Sequence, residues 1–170
     1  MAKNLDIIRS ERLILRGITE ADAGKIVEWR SNPENYRYFK SPREITLKEH
    51  LEWFYTRYLC DENRLDWICI DTATGDRIGV FGLVRDETKT EINYLLAPKA
   101  QHKGYASEAV KALIKYAVSQ WNTSQIIAEI HQDNFASIAL AERLGFTVLS
   151  KTENFVCYGT SLKNEKVEDF

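Results

Sequence analysis

Residues 101–106 read Gln-His-Lys-Gly-Tyr-Ala and lie directly between a strand-like run and a helix-like run. The start of a helix leaves backbone N–H groups without intrahelical partners and carries about half a positive charge. Gly104 has no Cβ and therefore lets the backbone approach a ligand closely, and the small side chain of Ala106 leaves room for the ligand at the next turn. The side chains that can add hydrogen-bond donors are Gln101, His102 and Lys103. The spacing predicts an anion site for a phosphate group, with an ordinary strand-to-helix turn as the alternative.

This segment differs from the two common nucleotide-binding motifs. It lacks the Gly-Lys-Ser/Thr of a P-loop, which argues against a magnesium-bound triphosphate. It also lacks the Gly-x-Gly-x-x-Gly pattern of a dinucleotide-binding fold. The formal net charge of -2 provides no field that would attract nucleic acid, and the basic residues are spread along the chain. We therefore expect a local phosphate site and no nucleic acid partner.

Length and composition indicate the broad class of the protein. The 170 residues, 44% hydrophobic and 28% charged, suit one globular domain, so we expect residues 1–170 to form a single domain. Three widely spaced cysteines and three histidines form no metal-binding pattern, so we expect reduced thiols and no metal. The N-terminal segment lacks the apolar stretch of a signal peptide, and no run approaches the ~20 apolar residues that span a bilayer. These features predict a cytoplasmic protein without membrane contact.

Periodic hydrophobic residues indicate the elements that must position residues 101–106. Alternation predicts strands at residues 12–18, 65–73, 78–86, 90–98 and 124–131, with one bent strand or two after residue 146. Helical spacing predicts helices at residues 19–30, 46–60, 104–121 and 134–145. Capping-box patterns occur at two of the helix starts, where they are formed by Thr19 with Asp22 and by Thr46 with Glu49. Residues 31–45 read as a loop.

The order of these elements predicts a mixed sheet. Strands joined by short turns pair antiparallel, whereas the strands on either side of the helix at 104–121 are joined by a right-handed crossover and pair parallel. The expected fold class is α/β or α+β, rather than a doubly wound sheet. The helix at 46–60 is expected to pack through an apolar face formed by Leu47, Leu51, Phe54, Tyr55 and Tyr58.

Residues 101–106 also resemble a known motif. The GNAT superfamily of N-acetyltransferases holds the pyrophosphate of acetyl-coenzyme A with a Gln/Arg-x-x-Gly-x-Gly/Ala motif, which is matched here by Gln101, His102, Lys103, Gly104, Tyr105 and Ala106. The segments RLILRGITEADA, EINYLLAPKAQHKGYASEAV and NFASIALAERLGF resemble other parts of the family, so the resemblance covers nearly the whole chain. It implies a GNAT fold with a mixed sheet of six to seven strands and about four helices. The family's fourth and fifth strands splay apart and admit acetyl-coenzyme A.

The resemblance also implies how acetyl-coenzyme A is held. The splay would lie between residues 91–97 and 125–131. The backbone that would pair with the pantetheine amides, like an added strand, belongs to Leu95, Leu96 and Ala97. One N–H there could polarise the thioester carbonyl. Asn134 and Ser137 match family positions that touch the cofactor, although helix capping explains Asn134 as well.

Two side chains are candidates for proton transfer. Glu91 matches an acidic residue of the family's fourth strand, where it would take a proton from the amine, directly or through water. His131 ends the fifth strand and would face the same gap, and the ordinary pKa of histidine, about 6.5, suits proton transfer. The alternatives are a surface glutamate and a solvent-exposed histidine. The tyrosine that usually protonates the thiolate is replaced by Ala141, so another donor serves or the thiolate leaves without one.

Residues 28–54 are expected to line the acceptor side. They resemble a Glu-Trp/Phe-Arg-Asn-x-Pro and His-x-x-Trp/Phe pattern of nucleotide-amino-sugar N-acetyltransferases of the pseudaminic acid type, which His50 matches in its second half. Arg30 could pair with a diphosphate, and Trp29 or Tyr36 could stack on a base or sugar. Aromatic residues at helical spacing are the alternative, as parts of a core. Relatives that acetylate protein N-termini, in the ribosomal-protein alanine branch, carry similar residues here.

Taken with the resemblance, these residues predict an acetyl-CoA-dependent N-acetyltransferase that acts on a primary amine by direct transfer. The acceptor is a small molecule, such as an amino-sugar nucleotide, or a peptide N-terminus. A coenzyme A-binding module with weak activity is a further alternative, because of Ala141. Many family members are dimers, so a homodimer stays open.

Overall fold

The computed structural model describes residues 2–87, 89–162 and 170, and its central feature is one mixed sheet. Within the described residues the strands are β1 (Ile8–Arg9), β2 (Leu13–Gly17), β3 (Arg64–Asp71), β4 (Arg77–Asp86), β5 (Lys89–Leu96), β6 (Gln125–His131), β7 (Thr147–Lys151) and β8 (Phe155–Ser161). The α-helices are α1 (Ala23–Arg30), α2 (Pro33–Tyr36), α3 (Leu47–Thr56), α4 (Tyr105–Trp121) and α5 (Phe135–Arg143). The strand order is β1-β2-β3-β4-β5-β6-β8-β7.

Strand directions confirm the predicted mixed sheet. Strands β1 to β5 pair antiparallel in sequence order, β5 and β6 pair parallel across the α4 crossover, and β6, β8 and β7 pair antiparallel. The described sheet has eight strands rather than six or seven, because β1 is a two-residue strand and the last segment forms two strands. The described chain has five α-helices rather than four, because α2 lies in residues 31–45, which were expected to be a loop.

The two faces of the sheet carry separate cores. On one face, Trp67 and Phe81 pack with residues of α4 such as Leu113. On the other face, Ile68 and Leu95 pack with residues of α1 and α3, among them Trp29 and Phe54. Because side chains alternate along a strand, neighbouring residues of β5 reach different faces.

A gap opens between β5 and β6. Their pairing covers only Lys89 to Glu91 with Gln125 to Ile127. Beyond these residues β5 stays paired with β4 as far as Leu96, and β6 stays paired with β8 as far as His131. The two halves of the sheet therefore diverge, which confirms the expected splay.

Both predicted capping boxes are present. The Thr46 hydroxyl accepts a hydrogen bond from the Glu49 N–H at 3.1 Å, and Glu49 accepts one from the Thr46 N–H at 2.7 Å. Asp22 accepts a hydrogen bond from the Thr19 N–H at 2.9 Å and also pairs with Arg16 at 2.8 Å. These contacts satisfy donors at the helix starts and tie the first helical segment to the sheet.

Helix α3 packs differently from the prediction. Phe54 is buried, as is Tyr58 just after the helix, whereas Leu47 and Tyr55 are 48% and 40% exposed. His50, one turn before Phe54, takes part in the buried face instead. Within the described residues, no helix combines the length and the apolar character needed to cross a membrane.

Candidate active site

A cavity of about 810 Å³ follows the gap between β5 and β6. Its walls are the end of β5, the start of α4, the inner side of α5 and residues near α2. The cavity reaches both faces of the sheet, since Glu129 and His131 line it on the α1 side and Leu140 lines it on the α5 side. A cavity of this volume that opens on both faces suits a long ligand that passes through the sheet.

The start of α4 leaves hydrogen-bond donors open towards the cavity. Gly104 is the N-cap residue with φ +80°, and it has no side chain that could cap the helix. No described residue accepts a hydrogen bond from the backbone N–H groups of residues 105–107. His102 also has a left-handed φ of +61°, a strained conformation that concentrates at functional sites. The side chains of His102 and Lys103 are exposed.

Arg12 of the β1–β2 turn braces this loop from outside. Its guanidinium donates to the Lys103 carbonyl at 3.0 Å and to the Glu108 carboxylate at 2.7 Å. It also lies 4.7 Å above the ring of Tyr105, whose hydroxyl donates to Asp71 at 2.7 Å. Tyr105 is therefore committed to the sheet, and only its backbone N–H remains for a ligand. The brace fixes the loop before any anion binds, which lowers the ordering cost of binding.

The backbone of β5 presents only alternate residues to the gap. The Ala97 N–H donates to the Ile78 carbonyl of β4 at 2.8 Å. Hydrogen-bonded pairs alternate in an antiparallel ladder, so Leu95 directs its N–H and C=O groups to β4 as well. The Ala97 carbonyl accepts a hydrogen bond from the Ala100 N–H at 2.9 Å. Tyr94 and Leu96 direct theirs to the gap. Two of the three predicted pantetheine partners are thus turned away, and Tyr94 takes the place of one of them.

The side chain of Gln101 points inwards rather than to the anion site. Its Nε2 donates to Asn35 Oδ1 at 3.0 Å and to the Leu96 carbonyl at 3.4 Å. Asn35 is buried and donates to the Trp29 carbonyl at 2.9 Å. The expected role of Gln101 as a donor to phosphate is therefore replaced by a contact that joins α2 to the end of β5.

Asn134 and Ser137 lie at the start of α5. Asn134 is the N-cap residue, and its side chain accepts a hydrogen bond from the Ser137 N–H at 3.3 Å. The Ser137 hydroxyl shares a hydrogen bond with the Tyr94 hydroxyl at 2.9 Å. Both residues line the cavity, so capping and a contact with a ligand are compatible at this position.

Glu91 occupies the closed end of the gap, on the α1 side of the sheet. Burial raises its pKa above the usual range, the Glu129 carboxylate raises it further, and Lys40 and Arg64 oppose this. None of the described side chains forms a hydrogen bond or an ion pair with Glu91. Lys40 is instead paired with Glu129, and Arg64 with Asp66 at 2.8 Å. Glu91 is thus a half-buried carboxylate without a fixed partner, as a proton acceptor should be.

His131 faces the gap but already holds a hydrogen bond. Its Nδ1 accepts from the Asp133 N–H at 3.2 Å, so the neutral ring carries its proton on Nε2. The ring lies 5.9 Å from Tyr38 and 5.2 Å from Phe155, measured between centroids. Because Nδ1 already accepts a hydrogen bond and Nε2 carries the proton of the neutral ring, this arrangement disfavours the expected role of His131 as a proton acceptor and suits a donor on the acceptor side.

Two of the four predicted acceptor residues lie in the core. Trp29 is 3% exposed and cannot stack on a ligand. His50 is 5% exposed, and burial together with the nearby Arg30 lowers its pKa to about 4. Arg30 itself is half-buried and lies 5.0 Å above the ring of Phe39, and no described carboxylate is within ion-pair distance of it. Tyr36 ends α2 and is half-buried.

Three contributors to the site carry no sequence signal of their own. Arg12 and Asn35 reach the loop and the strand end through contacts that join residues more than 60 positions apart. Tyr94 could be recognised only as a neighbour of the predicted segment 95–97. Its importance follows from the direction of its backbone groups, which depends on pairing with β4.

A mixed sheet split between two parallel strands, with an uncapped helix start at the mouth of the gap, defines an acyl-coenzyme A-binding fold. The chain belongs to the GNAT acetyltransferase family, because residues 12–147 match the family described as the acetyltransferase (GNAT) domain. The protein is accordingly an N-acetyltransferase that uses acetyl-coenzyme A. The residues present fit this cosubstrate, since the open N–H groups of α4 suit its pyrophosphate and the β5 edge suits its amides.

Known proteins resemble the chain in sequence and in structure. The uncharacterized N-acetyltransferase YoaA of Bacillus subtilis is 32% identical over 145 residues, which is 82% of each chain. A crystallised domain from Methanocaldococcus jannaschii is 28% identical with a TM-score of 0.80, over 92% of this chain and 100% of that one. RimL, a ribosomal L7/L12 α-N-protein acetyltransferase in complex with coenzyme A, has a TM-score of 0.79 at 18% identity, over 92% and 98% of the chains, and shares the fold.

Proposed function

We propose that this enzyme transfers the acetyl group directly to a primary amine, with Glu91 as the proton acceptor and a small anionic amine, such as an amino-sugar nucleotide, as the acceptor. The N–H groups at the start of α4 hold the pyrophosphate, and the backbone groups of Tyr94 and the N–H of Leu96 align the pantetheine. Residues 1–170 act as one domain in this proposal. When bound, acetyl-coenzyme A supplies an activated acetyl group.

The position of Glu91 supports its role. Its side chain lies on the α1 side of the sheet with Asn93, and its half-burial raises its pKa towards neutrality. A base works best when its pKa lies near the working pH. In this proposal the thioester end of the cosubstrate lies beside Tyr94. Glu91 is about 10 Å away along the strand, at about 3.4 Å per residue. A water molecule therefore relays the proton from the amine to Glu91. The carboxylate passes the proton on to solvent.

Arg30 is the observation that favours an anionic acceptor. A half-buried guanidinium without an acid partner carries a desolvation cost that a phosphate or carboxylate of the acceptor can offset. Burial lowers the pKa of Arg30, the nearby Arg64 and Arg43 lower it further, and Asp66 opposes this. Planar guanidinium groups bind phosphates through paired hydrogen bonds. Trp29, which the sequence pattern predicted to stack on a base or sugar, is buried and does not belong to this proposed site.

Acidic residues at the cavity favour a second candidate, a peptide N-terminus. Glu34, Glu129 and Asp133 line the opening, and they would attract a cationic acceptor without phosphate. The similar fold of RimL, which is named for the ribosomal protein L7/L12, is consistent with this candidate. A third candidate, a coenzyme A-binding module with weak activity, is favoured only by Ala141.

Coenzyme A release from acetyl-coenzyme A, measured with two acceptor pools, tests the proposal. One pool contains amino-sugar nucleotides and the other contains short peptides with free N-termini. We expect turnover with the sugar nucleotides, and an increase of about tenfold or more in their KM in Arg30→Gln, because a charged hydrogen bond is lost. Arg85→Gln is the matched control, since Arg85 lies on Trp121 away from the cavity, whereas Arg30 lies on Phe39, which lines it.

Each other outcome has a clear meaning. Turnover with peptides alone would assign the N-terminal acetyltransferase function. Equal KM values in Arg30→Gln and Arg85→Gln would refute the anion site at Arg30. Tight coenzyme A binding without turnover in either pool would favour the binding module.

A further inference from the structure

A hydroxyl pair bridges the gap on the side opposite Glu91. Tyr94 lies three residues beyond Glu91, the last residue of β5 that pairs with β6. Its side chain points to the face that carries α4 and α5. Its hydroxyl lies 2.9 Å from the Ser137 hydroxyl of α5. The ring is held by Phe81, with centroids 5.5 Å apart and planes 17° apart. The phenol is thus fixed at the α5 wall of the cavity.

The reaction needs a hydrogen-bond donor at the sulfur. When an amine displaces coenzyme A from a thioester, the electron pair of the C–S bond leaves on sulfur, and a nearby O–H stabilises that charge. Tyr105, the tyrosine at the phosphate end of the cavity, is committed to Asp71. Tyr38 lies on the acceptor side, beside His131. Tyr94 is left as the phenol next to the backbone groups that face the thioester end of the gap.

The phenol of Tyr94 is in the state that can donate. Burial raises its pKa above the usual range, the Ser137 hydroxyl opposes this, and Arg143 of α5 is the charged side chain whose field reaches it. The phenol therefore stays protonated at neutral pH. Because its ring is fixed, little entropy is lost when its hydroxyl turns from Ser137 to a sulfur.

The geometry of α5 explains why no tyrosine is needed at position 141. Ala141 is one turn after Ser137 on the same side of the helix, and it is 6% exposed. Long helical side chains lean towards the N-terminus, so a tyrosine at 141 would bring its hydroxyl to the Ser137 turn. The Tyr94 hydroxyl already lies there, on a side chain that comes from β5 instead.

We propose that Tyr94 is the catalytic residue that donates to the sulfur of coenzyme A and gives it a proton as the C–S bond breaks. This rests on the proposed function of the gap as the thioester site. The amine nitrogen forms a bond to the acetyl carbon, its surplus proton passes to Glu91, and the Tyr94 proton goes to sulfur. Solvent in the cavity reprotonates Tyr94 and takes the proton from Glu91. The products are the amide and the free thiol.

Titration of bound coenzyme A tests this without any acceptor. The ultraviolet absorbance of the thiolate gives the pKa of the coenzyme A thiol in complexes with the wild type, Tyr94→Phe and Ser137→Ala. A donor at the sulfur stabilises the thiolate, so the thiol should titrate about one pH unit lower in the wild type than in Tyr94→Phe. Ser137→Ala keeps the phenol and should titrate close to the wild type. Phenylalanine preserves the ring, so the fold should persist in Tyr94→Phe.

Kinetics provide the second readout. With an accepted amine, Tyr94→Phe should lower kcat at least about tenfold and leave the KM for acetyl-coenzyme A unchanged. Tyr116→Phe removes a phenol of α4 that packs on Trp67 outside the cavity, and it should keep the wild-type kcat. A thiol that titrates alike in the wild type and Tyr94→Phe would overturn the proposal. Equal shifts of the thiol pKa in Tyr94→Phe and Ser137→Ala would overturn it too, because they would show that the hydroxyl pair has only a structural role. Since the titration uses coenzyme A alone, a wrong acceptor class leaves this test intact.

Discussion

Replacement of Gly104 by alanine should separate the anion site from the turn that carries it. A residue with a Cβ at φ +80° costs about 1–2 kcal/mol in folding free energy. In a chain of this size that lowers Tm by about 2–8 °C. The added Cβ would also lie 3.3 Å from Arg12 Nη2, so the guanidinium that braces the loop must shift slightly. The same methyl group would stand among the open N–H groups of α4.

The effect on acetyl-coenzyme A binding follows from those N–H groups. Loss of one hydrogen bond to a charged phosphate costs about 1.5–3 kcal/mol, which raises Kd by about 10- to 150-fold. Gly75→Ala is the matched control, because Gly75 has φ +76°, an added Cβ there would meet no atom within 4 Å, and the β3–β4 turn lies away from the cavity. Calorimetric titration with coenzyme A gives Kd, and thermal unfolding gives Tm. If the two variants lose similar Tm and bind coenzyme A equally well, the phosphate site is not at Gly104.

Two further substitutions test the proposed base, Glu91, and the buried carboxylate Asp22, which ties the first helical segment to the sheet. Glu91→Gln should lower kcat/KM by about 100-fold near neutral pH and less as the pH approaches the amine pKa, without lowering Tm, because a half-buried charge is removed. Glu142→Gln is its control, because Glu142 is an exposed carboxylate of α5 that does not line the cavity. An unchanged pH profile in Glu91→Gln would contradict the role. Burial alone would raise the Asp22 pKa, but hydrogen bonds from Arg16, the Thr19 N–H and Arg77 lower it from 3.8 to about 2. This contributes about 2 kcal/mol of stability that is present above about pH 4 and is lost as the pH falls towards 2. Urea unfolding should show that loss in the wild type and not in Asp22→Asn, and parallel curves would refute it.

Local signals were readable from the sequence wherever a few neighbouring residues determine the structure. Capping boxes at Thr19 and Thr46 need only a side chain and a backbone N–H three residues apart. The turn at 101–106 needs a strand, a glycine and a helix in order. Helix α2 also had a local signal, an Asn32 N-cap followed by Pro33 at the first helical position, but its short length hid it among loop residues.

The direction of the backbone amides and the burial of individual side chains could not be predicted from the sequence in the same way. Which β5 amides face the gap depends on the register with β4, and the sequence alone does not contain that register. Trp29 and His50 matched a binding pattern, yet helical spacing placed them in the core beneath Arg30. The brace from Arg12 to Glu108 joins positions 96 residues apart, and only the folded sheet brings them together.

The two proposed proton transfers, at Glu91 and at Tyr94, both depend on the register of β5. Alternation places Glu91 and Asn93 on the α1 face and Tyr94 on the α5 face, so a carboxylate and a phenol lie on opposite sides of the proposed thioester path. Gly82 of β4 holds this register, because a Cβ there would overlap Asp66 Oδ1 and lie 2.7 Å from Asn93 Oδ1. A slip of one residue would exchange the two faces and put the phenol beside the amine. If Tyr94 acts as proposed, the direction of proton flow across the sheet is therefore a consequence of strand pairing, and it does not depend on which amine the acceptor site admits.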